Sequence, residues 1–113
     1  MKTIIAGGRD VTNFNHVRQA VLDVGWAITE VVSGGARGAD TLGEKWAEMA
    51  AVPVKRFPAD WDRYGKRAGY MRNEEMANYG ECLIALWDGE SRGTKHMIDI
   101  ATRKGLTVYV YKV

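Results

Sequence analysis

Ile28-Thr29-Glu30-Val31-Val32-Ser33-Gly34-Gly35-Ala36-Arg37-Gly38-Ala39-Asp40 decides the fold. A β-branched run stops at a glycine cluster, and a helical pattern starts directly after it. The same succession recurs on both sides. Upstream, Thr3 to Ala6 runs into Gly7-Gly8-Arg9-Asp10, and Asn13 or Thr12 can cap a helix with Val17, Ala20, Val21 and Val24 on one stripe, ended by Gly25. Downstream, the helix from about Ala39 presents Leu42, Trp46, Met49 and Ala50 to a core. Val52 to Phe57 is a third strand, with Pro53 near its start, where proline is tolerated. A long connection, Pro58 to about Gly69, leads to a helix over Tyr70 to Tyr79. Cys82 to Trp87 is a fourth strand. Asp88 to Thr94 is a polar turn, a helix with Met97, Ile98 and Ala101 inward follows, and Leu106 to Val113 is the last strand.

Strands alternating with helices predict an α/β fold: a three-layer α/β/α sandwich around a five-stranded, mainly parallel, Rossmann-like sheet. Right-handed crossovers and the order 3-2-1-4-5 put a crevice at the carboxyl ends of the strands, where the order reverses. Each polar or glycine-rich turn follows a strand's carboxyl end, so four of them share one rim. The 113 residues are read as one domain, 1–113.

Composition narrows the function. The lone cysteine, Cys82, excludes an intrachain disulfide; His16 and His96 lie far from it in sequence, so no metal site is expected. No apolar run approaches the roughly 18 residues that span a bilayer, and the start of the chain lacks a signal peptide's apolar region. A soluble cytoplasmic protein without membrane partners is expected. A net charge of +2 does not by itself announce nucleic acid.

The rim residues carry the chemistry. Gly7 and Gly8 let backbone N–H groups approach an anion at a helix start, and Arg9, next to Asp10, can fork onto phosphate or carboxylate. Ser33, Gly34, Gly35, Arg37 and Gly38 read as a bare backbone cradle with a hydroxyl and a guanidinium; the competing reading is close helix–strand packing with Asp40 as a cap. Neither G-x-G-x-x-G nor a Walker A loop is present, which argues against ordinary NAD or ATP-hydrolysing chemistry. In the long connection, Asp60, Trp61, Tyr64 and their neighbouring cations suit base stacking, or else form a lid packed by its own Trp61. Arg72 and Asn73 open a helix on the rim, while Glu74 and Glu75 read as solvated. Asp88, Ser91, Gly93 and Thr94 complete the ring, with Ser91 doubling as an N-cap. Cys82, Trp46, Trp87 and the methionines read as core; His96 reads as surface or boundary.

These motifs together resemble the SLOG superfamily, and within it the small YspA/YpsA-related branch found in bacteria and phages. The match runs through G-G-R-D, S-G-G-A-R-G-A-D, P-A-D-W-x-x-Y-G-K, R-N-x-x-M and W-D-G-x-S-x-G-T, across nearly the whole chain. The resemblance implies a nucleotide or nucleotide-derived ligand, of ADP-ribose type in some defence systems. Ser33 to Asp40 also looks like the S-G-x-A-R-G-I-D stretch of the DNA-processing protein A family. The LONELY GUY enzymes use P-G-G-x-G-T-x-x-E; here Met97 stands in place of the glutamate and Pro-Gly-Gly is missing. An oxocarbenium-like step needs a carboxylate, for which Asp10, Asp60 or Asp88 could substitute.

The expected function is therefore a binding module for a phosphorylated, nucleotide-derived ligand, as sensor or sequestering protein, with no firm cofactor. The alternatives are a nucleotide N-glycosidase or phosphohydrolase with Asp60 or Asp88 as its acid, and a single-stranded DNA binder. A homo-oligomer is expected, because superfamily relatives associate and the last strand carries Tyr109 and Tyr111.

Overall fold

The computed structural model describes residues Met1–Val113. Strand β1 (Lys2–Gly7) is followed by α1 (Phe14–Val24), β2 (Glu30–Ser33), α2 (Ala39–Met49), β3 (Val54–Arg56), α3 (Trp61–Tyr64), α4 (Arg67–Tyr79), β4 (Cys82–Trp87), α5 (Arg92–Arg103) and β5 (Thr107–Lys112). The sheet has the order β3-β2-β1-β4-β5, and every neighbouring pair is parallel.

The central strands are buried on both faces, which is why they read as continuous apolar runs rather than alternations. Along β1 and β4 successive side chains part to opposite faces. Ile4, Leu83 and Ala85 join Met76, Met97 and Ile100 beneath α4 and α5. Ile5, Ile84 and Leu86 join Val17, Ala20 and Ala47 beneath α1 and α2. The chain thus winds outward from β1 on one face, then crosses to β4 and winds outward on the other. The loops leaving β1 and β4 diverge at their carboxyl ends, opening the crevice there.

Local signals act as expected at both ends of α1. Asn13 Oδ1 accepts from the Asn15 N–H at 3.0 Å, and Gly25 stops the helix at φ 71°. In α2 the buried face is set instead by small residues, Ala39, Gly43 and Ala47. A Cβ on Gly43 would lie 2.8 Å from Ile5 Cγ2, so this glycine lets the helix press onto β1. That turns Leu42 and Trp46 to the margin and leaves Met49, expected inside, 69% exposed; Ala50 is exposed too. Met71 is also outside, on the outer side of α4, and Trp87 is only half-buried. The third strand is shorter than expected, and the long connection holds a short helix, because Asp60 Oδ1 accepts from the Arg63 N–H at 3.2 Å and caps it. Helix α4 consequently starts at Arg67. No helix is long and apolar enough to cross a membrane.

Candidate functional site

The first two rim loops touch backbone to backbone. A Cβ on Gly7 would collide with the Leu86 carbonyl oxygen and lie 2.8 Å from Ala39 Cβ. Gly38 has φ +81°, and a Cβ there would strike the carbonyls of Gly8 and Arg9. Glycine at these positions is demanded by chain crossing. The stitching uses up amide donors: Ala39 N donates to Gly8 O at 3.1 Å, and Gly8 N to Leu86 O at 3.4 Å.

The second loop is therefore not a bare cradle. Gly35 N donates to Ser33 Oγ at 3.1 Å, and Ala36 N to Asp40 Oδ2 at 3.2 Å. Ser33 is fully buried and donates its own hydroxyl to Glu44 Oε2 at 2.6 Å, so it offers nothing to a ligand. Glu44 Oε1 in turn accepts from Arg56 Nε and Nη2 at 2.8 and 2.6 Å. Asp40 does not cap α2, as the competing sequence reading had it: Gly38 holds the N-cap position without a side-chain bond, and Asp40, in the first turn, ties down the loop before the helix. Its burial pushes the carboxyl up to about 6, against the pull of the Ala36 N–H and of Arg72.

Arg72 and Asn73 tie the two halves of the rim together. Arg72 Nη1 donates to Gly34 O at 2.8 Å, and its Nε to Asn73 Oδ1 at 3.2 Å. Burial lowers the pKa of this guanidinium, nearby Asp40 raises it, and Arg9 lowers it again. Asn73 Nδ2 reaches Gly93 O at 3.3 Å and His96 Nδ1 at 3.2 Å. His96 also packs against Tyr70, ring centroids 4.5 Å apart. The sequence placed His96 at a boundary and gave no sign that it braces a rim asparagine.

These groups enclose a cleft of about 910 Å3. Gly7, Gly8, Met76 and Met97 lie at its base. Arg9, Asp10 and His16 form one side, Trp61, Lys66, Tyr70 and Arg72 another, and Asp88, Ser91, Gly93 and Thr94 a third. Asp88 Oδ1 accepts from the N–H groups of Glu90 and Ser91, both at 2.8 Å, and these bonds hold its carboxyl below the usual range. It is a fixed anion at neutral pH, suited to accept a hydroxyl proton in a hydrogen bond. Ser91 caps α5, and its hydroxyl lies 3.0 Å from that of the buried Thr94. Trp61 is 48% exposed; its ring edge lies 3.1 Å from where a Cβ on Gly69 would be.

A second cavity of about 710 Å3 adjoins the first and shares Arg9, Ala36, Trp61 and Arg72 with it. Gly34, Gly35, Arg37 and Arg56 belong to this one. Asp60, Tyr64, Ser33 and Gly38 line neither cavity. Asp60 is occupied as a helix cap, and Tyr64 packs under the Arg63 guanidinium, 5.2 Å from its ring centroid. Sequence reasoning missed His16 and Arg56. Both carry a positional signal: one sits in the first turn of a helix leaving the rim, the other at a strand's carboxyl end. No three His, Cys, Asp or Glu side chains group to hold a metal ion.

Comparison with known proteins places this arrangement in context. The family model described as YspA, cpYpsA-related SLOG family matches residues 1–64. The Gene 61 protein of Mycobacterium phage D29 is 40% identical over 84 residues, covering 69% of this chain and 67% of that protein. The crystal structure of DNA processing protein A from Streptococcus pneumoniae superposes with a TM-score of 0.79 at 17% identity, over 96% of this chain. This chain spans about half the length of that one, 49%, and the likeness is one of fold. The matched segment holds the first two rim loops, and the chain belongs to the YspA, cpYpsA-related SLOG family.

Proposed function

We propose that the chain binds a phosphorylated nucleotide or nucleotide-derived molecule in the rim cleft. The observation that carries this reading is the meeting of three kinds of group around one 910 Å3 space. Arg9 offers a charged fork beside Arg72, which keeps its charge and Nη2 after bonding Gly34 O and Asn73; Trp61 and Tyr70 offer exposed aromatic faces, and Asp88 offers a fixed carboxylate. A phosphate takes the arginines, a base takes the aromatic surface and a sugar hydroxyl takes Asp88. Arginine side chains carry the anion here, since the glycine-loop amides of Gly8, Gly35, Ala36 and Ala39 are already bonded within the chain. Holding or sequestering such a ligand, as a sensor would, needs no further group.

Of the carboxylates a hydrolase reading could use, Asp60 lies outside the cleft and Asp10 and Asp88 line it; Asp88 is anchored in the ionised state, which suits a base or a hydroxyl acceptor rather than an acid. The test is native mass spectrometry of protein purified from cells, release of any bound small molecule, and calorimetry with what is released. A stoichiometric nucleotide-like adduct returned intact is expected. Arg9→Ala should weaken its affinity by about tenfold to a hundredfold, the worth of a charge-assisted contact, at unchanged circular dichroism. Unchanged affinity in that variant overturns the assignment.

A further inference from the structure

We propose that the second cavity is a separate anion subsite, which takes the distal phosphates of a nucleotide carrying a chain of two or more. This rests on the reading of the first cavity as the seat of the nucleoside and its proximal phosphate. The two cavities differ in charge. The walls of the first mix Arg9, Lys66 and Arg72 with Asp10, Asp40, Asp88 and Glu90. Those of the second hold Arg9, Arg37, Arg56 and Arg72 and no carboxylate at all. Trp61, Pro58 and Ala59 give it apolar sides.

The arginines are not equally committed. The chain's salt bridges are Arg56–Glu44 and Lys95–Asp99, so Arg56 is held in place by its acid while Arg9 and Arg37 have none. Arg72 is pinned to Gly34 O with Arg9 close enough to repel it. Like charges gathered around one open space, two of them unpaired, are stabilised by a polyanion more than by a single phosphate. Because Arg9 and Arg72 belong to both cavities, a phosphate bound between them in the first already stands at the mouth of the second. A further phosphate on the same chain would meet Arg37 with no rearrangement of the fold.

The test is calorimetry of the full chain with adenosine and guanosine mono-, di- and triphosphates and with a 5′-phosphorylated dinucleotide, for wild type and Arg37→Ala. The affinity is expected to rise at least about tenfold from mono- to diphosphate. Arg37→Ala should erase that gain and leave the monophosphate within about twofold; the side chain is exposed, so the fold should tolerate its loss. Equal affinity along the series, or equal weakening of mono- and diphosphate by Arg37→Ala, overturns the subsite. A larger gain for the dinucleotide than for the diphosphate overturns it in favour of a nucleic-acid strand. Failure of every nucleotide to bind is a different failure, that of the first cavity's reading, and the subsite falls with it.

Discussion

In the loop after β1, Gly8 sits beside the cleft, and a methyl group added to it would meet nothing nearer than Val11 Cγ2 at 3.8 Å. In the loop after β2, Gly38 is pressed against the carbonyls of that first loop, Ser33 is buried, and Asp40 fills the turn with its own carboxylate. The second loop is the richer in glycine and small residues, yet its Gly38 is closed by the first loop's carbonyls, while Gly8 in the first loop has room for a side chain. Glycine content measures how closely something approaches the backbone. It does not say whether that something is a ligand or the next loop of the same chain.

The sharpest way to break this contrast is Gly38→Ala. The substitution combines a left-handed φ with a collision against two carbonyls. Conformational strain of about 1–2 kcal/mol and overpacking of about 1–3 kcal/mol should together lower stability by about 4 kcal/mol, read by urea unfolding. Gly35→Ala has a similar φ, +72°, but nothing within 4 Å, so it should show only the conformational part, about 1–2 kcal/mol. Equal losses in the two variants would mean that the stitching between loops contributes little.

That internal filling explains how far the sequence could be read. The succession of strands and helices followed from where apolar runs and polar turns alternate, the strand order from the Rossmann arrangement that such a succession suggests, and both β1 and β4 behave as buried parallel strands. The face of α2 did not follow, because Trp46 and Met49 outweigh Gly43 and Ala47 in any hydrophobic pattern, while packing distance favours the small residues. The rim could be located, since the polar turns all follow strands. Which turn residues fold back could not, because Ser33 finds Glu44 and Arg72 finds Gly34 O only once helices from distant parts of the chain are in place. Asp60 is the local exception: an Asp three residues before the Arg63 amide it accepts from is a cap signal legible in the sequence, and it competes with the reading of Asp60 as a catalytic acid.

Asp40→Asn sharpens the comparison through pH. A buried carboxyl whose folded value is about 6, against 3.8 when exposed, favours the folded state in its protonated form. The folded chain therefore holds the proton more tightly between those values, and the contribution to stability is full below about pH 4 and is lost as pH rises through 6. The interval corresponds to about 3 kcal/mol. Asp40→Asn lacks this titration, so its stability relative to wild type should improve by about 2 kcal/mol between pH 4 and pH 7, most of that interval. Urea unfolding at both values measures it. Parallel pH profiles would show that Asp40 is not the buried anion of the second loop.

The smallest expected change in stability comes from Gly8→Ala, and it separates folding from binding most cleanly. Gly8 is not among the glycines with positive φ, and its neighbourhood accepts a methyl group at ordinary contact distance. Replacing a glycine by alanine under those conditions restricts the unfolded chain, so the variant should be about 0.5 kcal/mol more stable than wild type. The same methyl group would stand on a residue that lines the cleft, next to the Arg9 that takes the phosphate, and would occupy space the proposed ligand fills. Affinity for the nucleotide recovered from cells should fall about tenfold, in a protein that unfolds at slightly higher urea. A stabilised variant with full affinity would show that the ligand keeps clear of the first loop. The openness of Gly8 would then be structural slack, and the contrast between the loops would concern packing alone.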